Sequence, residues 1–114
     1  MERLRRRADF LQAASGRRVS TPAFVLQAVR RADNEAVRVG FTVSKKVGTA
    51  VERNRVRRRL KDVVKRSGGR RFESGHDYVL IGRRAALQLP FDRMVEELER
   101  ALLRLAPRPS DMDR

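Results

Sequence analysis

The sequence contains no cysteine, which excludes disulfide frameworks, zinc fingers and thiol nucleophiles. Histidine is almost absent too. The single one, His76, follows Gly75 in a turn-like stretch. Long apolar runs are missing: none approaches the roughly 20 residues that span a bilayer. The charged start Met1-Glu2-Arg3-Leu4-Arg5-Arg6-Arg7 is not followed by the hydrophobic segment of a secretory signal. A cytoplasmic protein with no membrane partner is the expectation. Acids are scarce and scattered. Asp77 precedes a strand-like run, while Glu96, Glu97 and Glu99 fall on the outer face of a helical segment. No triad spacing, phosphate loop or dinucleotide loop is present. A nuclease working alone needs an acid–base pair or several carboxylates holding metal ions. The expectation is therefore no catalytic residue, no metal site and no cofactor in the polypeptide itself.

What the chain has in excess is positive charge. Its 114 residues leave room for one domain, and 40% hydrophobic residues suffice for one modest core. Lys+Arg number 28 against 14 acids, a formal charge of +14, where a small soluble domain does well with a magnitude of about 2–8. The self-repulsion calls for a polyanionic partner, either nucleic acid or an anionic membrane surface. Arginine supplies 24 of the cations and lysine only 4. The planar guanidinium matches phosphate bidentately and stacks on bases, which favours RNA or DNA over lipid headgroups. Arginine-rich codon usage accounts equally well for that ratio, though not for the total.

Periodicity supplies the elements. An amphipathic segment over 8–14 is stopped by Ser15-Gly16. Residues 17–21 form a short edge strand before Pro22. Residues 23–29 are apolar almost throughout. Residues 37–44 alternate strictly, with Val37, Val39, Phe41 and Val43 on one face and Arg38, Gly40, Thr42 and Ser44 on the other. The polar stretch 31–35 between these two runs predicts a β-hairpin. Thr49-Ala50-Val51-Glu52 has the form of a capping box. The helix it opens carries Val56, Leu60, Val63 and Val64 in one stripe and ends at Gly68-Gly69. Residues 78–82 read as a buried strand. Pro90 opens a last helix with an apolar stripe of Phe91, Met94, Val95, Leu98, Leu102 and Leu105. The expected fold class is a two-layer α/β (α+β) sandwich in the order α-β-β-β-α-β-α, with its helices on one mixed four-stranded sheet. One domain over 1–106 is followed by a disordered tail over 107–114.

The charge is concentrated. Residues 45–71 hold 12 cations against Glu52 and Asp62, a local charge of +10. On a helical wheel Asn54, Arg58, Lys61 and Lys65 lie opposite the apolar stripe. Arg55, Arg59 and Arg66 flank them on one side and Arg57 on the other. Arg53 stands nearer the stripe. A helix N-terminus is already partly positive, so cations in its first turns are unfavourable by several tenths of a kcal/mol each. A solvated face would place acids first and bases last; here the order is reversed. Lys45 and Lys46 extend the same surface toward the helix-start N–H groups. This pattern points to phosphate binding that is strong and indifferent to sequence; duplex DNA is compatible with it on charge alone.

The block Phe41-Thr42-Val43-Ser44-Lys45-Lys46-Val47-Gly48-Thr49-Ala50-Val51-Glu52-Arg53-Asn54-Arg55-Val56-Arg57-Arg58-Arg59-Leu60 resembles the signature of the bacterial ribonuclease P protein subunit family. The likeness extends from Arg5-Arg6-Arg7-Ala8-Asp9-Phe10 through Arg38-Val39-Gly40 to Gly75-His76-Asp77-Tyr78-Val79-Leu80-Ile81-Gly82-Arg83. The resemblance implies a fold like the second domain of a small-subunit ribosomal protein, with a left-handed β-α-β crossover, an exception to the usual hand. It also implies a function. The family acts with a catalytic RNA subunit that holds the Mg2+ ions, and together they remove the 5′ leader of precursor tRNA by endonucleolytic cleavage. No obligate protein partner is implied.

Two surfaces follow from the resemblance. Arg53, Asn54, Arg55, Arg57, Arg58 and Arg59 would touch the catalytic RNA, joined on charge by Lys45, Lys46, Lys61 and Lys65. A cleft between the first helix and the open sheet face would hold the single-stranded leader, with Phe10, Arg17, Val25, Gln27, Thr42, Ser44 and Arg83 as its residues. By alternation Val25, Gln27 and Val29 share that face with Gly40, Thr42 and Ser44. Phe10 either stacks on a leader base or packs on the core. The chain departs from many relatives at Ala14 and Gln27, where aromatics are common, so leader contact would rely more on hydrogen bonds and on charge from Arg17, Arg18 and Arg83. Two other classes compete: a stand-alone RNA-binding or ribosome-assembly protein, and a protein-only nuclease, which the missing acid–base pair disfavours.

Overall fold

A period of two residues in the first half of the chain and of 3.6 around it sets the layers of the computed structural model, which describes residues 1–31, 33–67 and 71–105. The elements are β1 (Glu2–Arg3), α1 (Arg7–Ala14), β2 (Arg17–Ser20), β3 (Phe24–Arg30), β4 (Arg38–Thr42), α2 (Ala50–Ser67), β5 (His76–Gly82) and α3 (Phe91–Leu105). Short 3-10 turns at Lys45–Val47 and Arg84–Leu87 precede α2 and α3. The expected Gly68-Gly69 stop and the tail 107–114 lie outside the described residues.

The sheet has five strands in the order β1-β4-β5-β3-β2, one more than the four expected. The addition is β1, two charged residues pairing parallel with β4; so short and polar a strand leaves no mark in a hydrophobicity pattern. The expected hairpin of β3 with β4 does not form. β5 lies between them, antiparallel to β3 and parallel to β4. The reason is physical. Tyr78, Val79 and Leu80 are buried on both faces of the sheet, so β5 belongs at the centre, where both its ladders are paired. The chain from β3 to β4 instead crosses the start of β5. Arg31 N donates to Gly75 O at 2.6 Å, and Gly75 N donates to Glu35 O at 2.8 Å. Gly75 has φ +74°, and a side-chain carbon there would come within 2.5 Å of Asp33 O. Only glycine fits that turn.

The registers divide the strand residues as alternation predicts. Phe24, Leu26, Val39, Tyr78 and Leu80 face α2 and α3 and meet Val56, Leu60, Val63, Met94 and Leu98 in the main core. Full burial of each such side chain stabilises by about 1.5–3 kcal/mol. The opposite face carries Val25, Gln27, Val29, Gly40, Thr42, Val79 and Ile81. There a smaller cluster of Leu4, Ala13 and Val79, with Phe10, Val29 and Ile81 packed against it, seats α1 over part of the sheet and leaves the rest open.

Candidate nucleic-acid interface

The start of α2 is fixed by the capping box. Thr49 N donates to Glu52 Oε1 at 3.0 Å, and Glu52 N donates to Thr49 Oγ1 at 3.2 Å. Arg84 Nη2 donates to Glu52 Oε2 at 3.1 Å, while its Nη1 donates to Val47 O at 2.7 Å. The Thr49 backbone N–H, then the Arg84 guanidinium, hold the Glu52 carboxyl below the usual carboxylate range. Glu52 is thus occupied in holding the helix start, and it is the one acid in the first turn.

Beyond that cap α2 is a basic face on an apolar stripe. Val56, Leu60 and Val63 are fully buried; Asn54, Arg55, Arg58 and Lys65 are exposed; Arg53, Arg57, Arg59 and Lys61 are half-buried. Among the described residues, none of Arg53, Arg55, Arg57, Arg58, Arg59, Lys61 and Lys65 forms an ion pair with a carboxylate. Their roles differ. Arg57 Nη1 donates to Asn54 Oδ1 at 2.9 Å, so Asn54 orients a guanidinium one turn further on. Arg59 Nη1 and Nη2 donate to the carbonyls of Ala86 and Leu89 at 2.6 and 2.8 Å. Arg59 therefore clamps the turn before α3 to α2. Arg53 is drawn inward, with Nε buried and without a hydrogen-bond partner among the described residues. Lys45 and Lys46 are exposed on the 3-10 turn leading into α2, which buried Val47 anchors.

The second surface is a groove of about 410 Å³ between α1 and the open sheet face. Of the residues expected there, Phe10, Gln27 and Thr42 line it together. Gln27 is only 6% exposed, and its amide makes no side-chain hydrogen bond among the described residues, as in no other buried polar side chain of this face. The Phe10 ring lies against Gly40, where an added side-chain carbon would come within 2.7 Å of its Cε1 and Cζ. The ring is half-buried, packed on the sheet and also bordering the groove.

The other expected cleft residues stand elsewhere. Val25 is on the same face by register, opposite Ile81, but buried. Ser44 is exposed in the turn after β4. Arg83 donates from Nη1 to Thr21 O at 3.0 Å at the end of β5. Arg17 lies on the helix side of the sheet. Its Nη1 and Nη2 donate to Leu105 O and Arg104 O at 2.8 and 3.1 Å, satisfying carbonyls at the end of α3. The groove instead gains Arg5 and Arg7; their place in the basic run that leads into α1 is the signal that could have found them.

At one end of that face Asp77 is buried under two arginines. Arg38 donates to both its oxygens at 2.8 and 2.7 Å, and Arg31 Nη1 donates to Oδ1. Arg38 also reaches Asp9 of α1 at 3.5 Å, tying that helix to the sheet. Burial pushes the Asp77 carboxyl up, but the hydrogen bonds from Arg38 and Arg31 outweigh it and leave it below the usual carboxylate range. Among the described residues, no group of three or more His, Cys, Asp or Glu stands together as a metal site. His76 stacks on Tyr78 with ring centroids 5.9 Å apart, its Nδ1 3.1 Å from Ser74 O. No helix is long and apolar enough to cross a membrane among the described residues.

Comparison with known proteins gives a consistent result. The family model described as Ribonuclease P matches residues 1–106. The ribonuclease P protein component of Gluconacetobacter diazotrophicus is 46% identical over 110 residues, covering 96% of this chain and 95% of the relative. That of Ruegeria pomeroyi is 47% identical, covering 93% and 88%. Among solved structures, the RNase P protein from Thermotoga maritima superposes with a TM-score of 0.76 at 28% identity, covering 94% of this chain and all of the other. The Staphylococcus aureus RNase P protein gives 0.73 at 27% identity, covering 90% and 94%.

Proposed function

Because the chain belongs to the ribonuclease P protein family, we propose that it is the auxiliary subunit of a ribozyme. It binds the catalytic RNA through α2 and the single-stranded 5′ leader of precursor tRNA in the α1 groove, and the RNA cuts the leader from the mature 5′ end. The observation that carries this reading is the unneutralised cationic face of α2. Asn54, Arg55, Arg58 and Lys65 are exposed on it, and no carboxylate pairs with its cations among the described residues. Such a face self-repels until phosphates meet it, and release of their counterions drives binding.

The two surfaces divide the work. The α2 face recognises a folded phosphate backbone by charge. The α1 groove offers Phe10 for stacking, the Gln27 amide, the Thr42 hydroxyl, and Arg5 and Arg7 at its border, a combination suited to one unpaired strand. Holding the leader there raises the affinity for precursor over mature tRNA. The Mg2+ ions and the hydrolysis belong to the RNA and its substrate, in the cytoplasm, and no residue of this chain takes part in bond breaking.

Reconstitution tests the proposal. Protein, catalytic RNA and precursor tRNA are mixed singly and together at low and physiological magnesium. The protein is expected to be inactive alone and to accelerate RNA-dependent cleavage most at low magnesium. Cleavage by protein alone would point to a protein-only nuclease, and no acceleration to an RNA-binding protein of another role.

A further inference from the structure

β1 pairs Glu2 with Arg38 and Arg3 with Val39, and Leu4 N donates to Val39 O before the chain turns away. Among the described residues, no strand pairs with the β4 edge from Gly40 onward. On the helix side of this edge, a groove of about 380 Å³ lies between α2 and the β1–β4 border. It is distinct from the α1 groove, which lies on the other face of the sheet. Val39, Phe41 and Val64 line its apolar part, and Arg3, Arg58, Lys61 and Lys65 supply its cations. Phe41 is half-buried and borders both grooves, because the open edge lets it be reached from either face.

The charge is unbalanced. Two carboxylates, Glu2 and Asp62, also line the groove, against four cationic side chains. None of these six forms an ion pair among the described residues. Partial burial, then the repulsion of Arg3 and Arg57, holds the Lys61 ammonium below the usual lysine range. An anion between these cations relieves that repulsion. An aromatic ring beside a cationic rim suits a nucleotide better than an acidic peptide, whose side chains would leave the apolar part uncovered. The groove is also continuous with the α2 face, since Arg58, Lys61 and Lys65 belong to both.

We propose that this groove receives one unstacked nucleotide of the catalytic RNA, its base against Phe41 and Val64 and its phosphate between Arg3 and Lys61. The inference rests on the reading that α2 binds that RNA. It adds a fixed point to an otherwise sequence-indifferent contact: charge alone lets the helix slide along a phosphate backbone, and one inserted base sets its register.

The absence of cysteine makes the test direct. An aryl azide is attached to Glu2→Cys, at the groove, or to Arg55→Cys, on the α2 face outside it, and each protein is irradiated in complex with the full catalytic RNA. The Glu2 probe is expected to attach to one nucleotide, or two adjacent ones, in a non-helical segment. Making that nucleotide abasic should weaken binding about tenfold, the scale of one base–aromatic stack, and much less in a Phe41→Leu background. Attachment from position 55 with none from position 2, or with scattered attachment to helical stems, overturns the groove assignment and leaves the α2 reading standing. Attachment of the position 2 probe only to a second protein molecule overturns it in favour of a protein site. No attachment from either position overturns both readings.

Discussion

Arg55 and Arg58 are exposed, and neither makes a hydrogen bond or ion pair among the described residues. Replacing both by alanine therefore removes charge from the α2 face without disturbing the core. If each arginine meets one phosphate, the slope of log affinity against log salt should become shallower by about 0.7–0.9 per contact, or about 1.4–1.8 for the pair. At about 1 M salt most of this contribution is gone. Between there and 0.15 M the logarithm of salt changes by about 0.8, so each contact gives about 0.6–0.7 log units. The double variant should bind about 15- to 25-fold more weakly at 0.15 M, about 1.6–1.9 kcal/mol, with a larger deficit at lower salt. The assay is titration of labelled catalytic RNA at fixed magnesium over a range of monovalent salt. Arg93→Ala with Arg100→Ala, on exposed positions of α3, removes the same total charge and should leave the slope unchanged. Equally shallow slopes for the two variants would refute the reasoning, because net charge rather than placement would then govern binding; a slope unchanged in the α2 variant would put the RNA surface elsewhere.

Three further outcomes separate the roles of neighbouring residues. Arg59→Ala should lower folding stability by about 2 kcal/mol, by loss of two hydrogen bonds from a charged donor, and leave the salt slope nearly intact; urea denaturation beside RNA titration checks this, and a changed slope at unchanged stability contradicts it. Phe10→Ala should weaken precursor tRNA binding by about 1–3 kcal/mol and mature tRNA binding much less, measured on the reconstituted complex; equal losses would make Phe10 a packing residue only. Asp77 has a lowered native carboxyl value, so its stabilisation is fully present above the ordinary carboxylate value near 4 and is lost as pH falls below it. Asp77→Asn should cost about 3 kcal/mol at neutral pH, and this gap should shrink below about pH 4 in urea midpoints; parallel curves for the two proteins would remove Asp77 from the account of acid stability.

Local order was legible in the sequence where the determinants are local. The capping box at Thr49 and Glu52 and the stripe of Val56, Leu60, Val63 and Val64 are set by residues three and four apart, and both appear in α2. Alternation assigned Gln27 and Thr42 to one face because a strand has no other option. Strand order was not legible. A period of two tells which face a residue takes and is silent on which strand lies beside it, so alternation gives no sign that β5 inserts between β3 and β4. The continuous apolar run of Tyr78, Val79, Leu80 and Ile81 was the available hint of a central strand. The engagements of individual arginines were hidden for a related reason. Arg59 finds carbonyls 27 and 30 residues away, and Arg17 one 88 residues away, while a sequence shows only that each is basic.

The central place of β5 bears on how the chain acquires its shape during synthesis. β3 and β4 emerge first, yet neither has its main partner until residues 76–82 leave the ribosome. Until then each strand presents a bare edge, and α2 has only part of the sheet to rest on. Closure of the sheet waits for β5, and until it arrives the two waiting strands are the segments most exposed to mispairing between nascent molecules.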